Sequence, residues 1–161
     1  MRVYLPCTLE QLRSALSTGQ VDATLAFAVT PALREWYVEG DAEELEYAAG
    51  AAAARASLRL LASGGNQPRR VVLAAEVPDG EALPATDVDR AAVRLTGPVL
   101  LRLVDSALVD DASAADDVRR AAAALAAADA GDDDAAFVVD SVEDHELGWW
   151  AVQELAVLVA P

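Results

Sequence analysis

Residues Thr24–Tyr47, TLAFAVTPALREWYVEGDAEELEY, decide how this chain folds. Leu25, Phe27 and Val29 alternate with small residues, the two-residue period of a strand with one apolar face. Thr30 then caps a helix whose first position is Pro31, where a fixed φ helps and the missing N–H costs nothing. That helix carries Glu35, Trp36 and Tyr37, and it is expected to be short because Gly40 and Asp41 interrupt it. Asp41 with Glu44 forms a second capping pattern. From there Leu45, Ala49, Ala52, Ala56 and Leu60 recur at helical spacing, predicting a long helix to about Ala62 that Gly64-Gly65-Asn66 ends.

Upstream, Arg2 to Leu5 alternates as a strand, with Pro6 expected to stop it because proline donates no ladder bond. Thr8 and Gln11 make a capping box, Leu9, Leu12 and Leu16 follow at helical spacing, and Gly19 stands at the C-cap. Downstream, Arg69 to Val77 is the most continuous apolar run and suits a central strand. Pro78 to Asp89 suggests a surface loop, Ala92 to Thr96 a short strand, and Val99 to Val104 fits either a strand or a helical turn. Ser106 to Asp110 suggests another strand. Ser113 is placed to cap a helix over 114–128. Phe137 to Val142 and Leu147 to Val152 both read as strands, and Gln153 to Val159 as a strand extension or a terminal helical turn. The expected architecture is one α+β domain over 1–161, a mixed β-sheet with helices mostly on one face. The opening strand–helix–strand, loosely echoed by Ser106 to Val152, hints at a ferredoxin-like pseudo-repeat.

Composition excludes more than it assigns. The 161 residues hold 27 acids against 12 bases, a net charge of −15, and every base is arginine. No clustered basic surface is available for phosphates, so neither a nucleic-acid partner nor an anionic membrane is expected. Without lysine there is no Walker A loop, no Schiff base and no pyridoxal phosphate anchor. GxGxxG and GxSxG are absent. A single cysteine and a single histidine make neither a disulfide nor a conventional zinc site, so no metal and no cofactor are expected. No apolar run reaches membrane-spanning length and no signal-like stretch opens the chain, which points to a cytoplasmic location.

Two segments could carry chemistry. Asp144, His145 and Glu146 precede Trp149 and Trp150, which would face opposite sides of a strand, so that one indole stands beside a histidine and carboxylates. Glu35, Trp36, Tyr37 and Glu39 put two carboxylates one helical turn apart beside two aromatics. If the segments met, Glu35, His145 and Glu146 would form a polar-aromatic cleft. Cys7, between a strand and a helix N-terminus, could be a reactive thiol with His145 as its base, or a buried small residue. An acidic mimic of nucleic acid would need Asp110–Asp117 and Asp129–Asp134 on one face.

Three motifs, MRVYLP at the start, AFAVTPALREWY in the middle and DHELGWWAVQEL near the end, resemble a family of small uncharacterised actinobacterial proteins, a domain of unknown function. The family's late motif is closer to DHELLWYAxQE, so Gly148 and Trp150 depart from it. The resemblance implies a bacterial cytoplasmic setting and one domain, and it carries over no functional residue. The expected function is a non-enzymatic binding or regulatory domain acting through protein–protein contacts, with a protein partner or a homodimer. Its binding residues would be Trp36, Tyr37, Asp144, His145, Trp149 and Trp150. The alternative is a small hydrolase or transferase using Glu35, His145 and Glu146 as catalytic groups, with or without a divalent metal.

Overall fold

The structure, a computed structural model, describes residues 1–64 and 66–161. Gly65, one of the glycines expected to end the long helix, lies outside them. At the centre is β1, Arg2–Cys7, flanked by β3, Leu25–Phe27, and β4, Val71–Glu76. β8, Val104–Val109, and β9, Gly148–Ala151, extend the sheet beyond β4. On the other side lie β6, Ala92–Leu95, and β5, Ala82–Pro84, giving seven strands. A separate ribbon pairs β2, Gln20–Val21, with β7, Val99–Leu100.

The α+β class holds, but the sheet is not mixed. Every pairing among the described residues is antiparallel. A ferredoxin-like repeat returns from its helix to a strand parallel to the first, with one strand between them, whereas here the next strand of the main sheet, β3, lies directly beside β1 and antiparallel to it. The segment after α1, Leu9–Thr18, goes into the β2 ribbon and not into a parallel strand of the main sheet. Pro6 does not end β1 either. The β3 ladder touches β1 at Tyr4 only, so β1 runs on through Pro6, opposite Val72, with β4 alone.

Strand alternation sends Val3, Leu5, Cys7, Val71, Leu73 and Ala75 to one face, where they meet Leu9 and Leu12 of α1. α6, Leu155–Leu158, closes the same side through Leu155. Tyr4, Phe27, Val72 and Ala74 face the other way, against Leu33 of α2, Pro31–Trp36, and Leu45, Ala49 and Ala53 of α3, Ala42–Ala62. Most helical residues are thus on this second side. Both expected caps of α1 and α3 form as complete capping boxes, on Thr8/Gln11 and Asp41/Glu44.

α4, Ala115–Asp129, and α5, Asp133–Ser141, make a hairpin that packs Val118, Leu125 and Val139 on Leu58 and Leu61 of α3. α5 corrects the strand expected from Phe137. The β-branched pair Val138-Val139 is outweighed by an N-cap, since Asp132 accepts from the Ala135 N–H at 2.9 Å, and by the helical spacing of buried Val139 and Val142. Asp111, not Ser113, caps the turn leading into α4. Leu101–Leu103 form a 3₁₀ turn after β7, which resolves the ambiguous stretch. The expected 78–89 loop contains β5, an edge strand that tolerates Pro84.

Candidate functional site

An α-helix is about 10 Å across and strands lie about 4.8 Å apart, so one helix covers roughly two strands. α3 lies over β1, β3 and β4, and among the described residues no helix packs comparably on the same face of β8 and β9. The connection from α5 into β9, residues 142–147, passes over that uncovered strip but does not fill it. Between α3, the sheet and this connection is a pocket of about 400 Å³. That is within the usual range of small-ligand sites.

Each wall has a sequence reason. α3 presents Glu46, Gly50, Ala54 and Leu58 at successive one-turn steps, with Tyr47 and Arg55 beside them. Tyr4 and Leu108 come from the sheet, on the side that alternation turns toward α3. The connection adds Val142, Glu143, His145, Glu146 and Leu147. Gly50 interrupts a run of alanines, and a Cβ built there would meet nothing within 4 Å. Glycine is therefore not required by packing at this position.

Arg70 anchors the connection. It is 3% exposed and paired with Asp110, which is 0% exposed. Its Nε and Nη2 donate to the two Asp110 carboxylate oxygens at 2.8 Å each, and its own backbone N–H donates to the same carboxylate at 2.8 Å. Nη2 also donates to the carbonyls of Val142 at 3.2 Å and His145 at 2.9 Å. One guanidinium thus ties the start of β4, the end of β8 and the pocket-lining connection together. Nη1 meets no acceptor among the described residues, and Arg70 forms part of the pocket wall.

The His145 imidazole is held from α4. Its Nε2 lies 2.7 Å from an Asp117 carboxylate oxygen, whose other oxygen accepts from Arg120. The His145 contact, then Arg120, holds the Asp117 carboxyl below the usual range. The result is a carboxylate-oriented imidazole beside a mostly apolar hollow. Arg55 is shared by Asp140 at 2.9 Å and Glu143 at 3.0 Å. Glu46 and Glu146 form no ion pair among the described residues.

The expected site residues separate. His145 and Glu146 line the pocket, whereas Glu35 is exposed on α2 and lines neither this pocket nor the adjoining groove, so the expected three-residue cleft does not assemble. Trp36 is exposed and engaged elsewhere, with the Arg90 guanidinium 3.7 Å from its ring centre. Tyr37 lines a shallow groove that adjoins the pocket through Tyr47 and Ala51. Asp144 is exposed and outside the lining.

Trp149 is 66% exposed opposite Leu108, on the pocket's side of the sheet. Trp150, opposite Ala107, turns to the other side and packs on the α1 core, which removes it from the expected binding surface. Cys7 is buried on that α1 side, and burial pushes its thiol up to about 12, so His145 across the sheet is not its base. Asp110 is buried, and Asp117 and Asp129 pair with Arg120 and Arg59, so these three carboxylates of the acidic runs are not free to imitate phosphates. No group of three or more His, Cys, Asp or Glu side chains is disposed to hold a metal among the described residues, and no described helix is long and apolar enough to cross a membrane.

A sequence model of one protein family matches residues 1–159. The chain belongs to the family of unknown function DUF6912. Comparison with curated proteins and with solved structures gives no match. Sequence reading missed Arg70, Asp110, Asp117 and Gly50. The available signals were an arginine and an aspartate abutting the apolar runs 71–77 and 106–109, and one glycine amid helical alanines.

Proposed function

We propose that this protein is a non-enzymatic binding or regulatory domain whose ligand site is the pocket between α3 and the 142–147 connection. The observation that carries the reading is the pocket's construction. A hollow of about 400 Å³ has an apolar body, a few convergent polar groups and a wall held by a buried ion pair. This moves the expected interaction from a flat protein–protein surface to a concave small-molecule site. Exposed Tyr47, which lines the pocket, and Trp149 on the same side of the sheet suit the rim of such a site.

The test uses Gly50→Leu, which would grow a side chain into the open space of the pocket without meeting protein atoms at its Cβ. A thermal-shift screen of a small-molecule library against wild type and variant should yield compounds that raise the Tm of wild type alone. Compounds that stabilise both proteins equally would place binding elsewhere and end the reading.

A hydrolase or transferase reading is favoured by one specific observation, the Asp117–His145 hydrogen bond. A carboxylate-held imidazole at a pocket edge can act as a general base on water. In that case His145→Ala would abolish turnover of p-nitrophenyl esters. Turnover that survives the substitution would remove this alternative.

A further inference from the structure

Resting on the pocket as the ligand site, we propose that its occupant is a small amphipathic organic cation that also carries a neutral hydrogen-bond acceptor. The acceptor is suggested by Arg70, which offers a free donor at the pocket wall. This side chain is 3% exposed, two of its guanidinium nitrogens are satisfied by Asp110, Val142 and His145, and Nη1 is left without a protein acceptor among the described residues. Nη1 is not a buried orphan, and in the pocket wall an occupant's carbonyl can accept from it in place of solvent. Asp110 already balances the Arg70 charge through two 2.8 Å bonds, so a neutral carbonyl satisfies Nη1 without adding an uncompensated anion.

The cation is favoured by the carboxylates. Glu143 is paired with Arg55 at 3.0 Å, but Glu46 and Glu146 line the same pocket with no ion pair among the described residues. Together they attract a positive group and repel a carboxylate or phosphate. The net charge of −15 acts in the same sense at longer range. Tyr47 offers an aromatic ring at the same wall for an ammonium. Between these polar groups Ala54, Leu58, Leu108 and Leu147 provide an apolar lining for the occupant's body. Gly50 keeps the middle of the α3 wall recessed, at a helix position where intrinsic propensity favours alanine.

Isothermal titration of the full chain with four probes tests the class, at about pH 6 so that α-amino groups are protonated and carboxylates are not. L-Phenylalaninamide supplies cation and carbonyl, phenethylamine the cation alone, N-acetylphenylalaninamide the carbonyl alone, and N-acetylphenylalanine an anion. Phenylalaninamide should bind tightest, about tenfold tighter than the anion, with the advantage largely lost in a Glu46→Gln/Glu146→Gln variant of two exposed residues. Gly50→Leu should abolish binding of all four.

Phenethylamine binding as well as phenylalaninamide would overturn the acceptor at Arg70. Equal or tighter binding of the neutral or anionic probe, still blocked by Gly50→Leu, would overturn the cation class while leaving the pocket as the ligand site. If no probe binds wild type more tightly than Gly50→Leu, the class and the pocket reading both fall.

Discussion

Arg70 and Asp110 show how one pair of residues can position a site that neither ends nor begins in it. Both charges are buried, and their desolvation is offset only because the carboxylate takes three donors and the guanidinium reaches two further carbonyls. Removing one partner leaves an uncompensated buried charge. Asp110→Ala should therefore destabilise the fold by about 3–5 kcal/mol in urea denaturation. A loss below about 1 kcal/mol, the scale of an exposed pair, would mean that the pair is not buried in solution. At this scale the sequence was least legible. A charge at the end of an apolar strand has the same appearance whether it meets solvent or a buried partner. The contacts that matter here join residues 40 and 28 positions apart, Arg70 with Asp110 and Asp117 with His145.

At the scale of elements, local chemistry was decisive wherever caps and periodicity agreed. Thr8 and Gln11, Thr30 and Pro31, and Asp41 and Glu44 each start the helix they predict. Reading failed where a local preference met a tertiary one. Val138-Val139 favours a strand until Asp132 caps the segment and α4 offers a surface for Val139. Pro6 favours a break until β1 is found with β4 alone beside it at that point. α3 carries the opposite case, a helix that forms in spite of one poor residue. Because a Cβ at Gly50 would meet nothing within 4 Å, Gly50→Ala should stabilise the protein by roughly 0.5–1 kcal/mol, seen as a higher urea midpoint at unchanged m-value. Destabilisation instead would mean that the space beside Gly50 is filled by protein in solution.

For the whole molecule, the pocket follows from a mismatch of widths. Seven strands are too broad for one helix, α1 and the β2–β7 ribbon are on the far side, and the α4–α5 hairpin packs on the end of α3. What remains open is the strip of β8 and β9 beneath the 142–147 connection. The α+β class could be seen in the chain, but strand order, and hence which strip stays open, depends on pairings between distant segments that no local pattern encodes. We propose this strip as the place where a ligand binds. A protein-observed NMR screen with a small-fragment library is the decisive measurement. Hits should shift the amides of Gly50, Ala54, Leu108 and Leu147 and leave those of α1 unmoved. Hits clustered on α1 or the β2–β7 ribbon, or no fragment shifting the pocket amides at all, would contradict it.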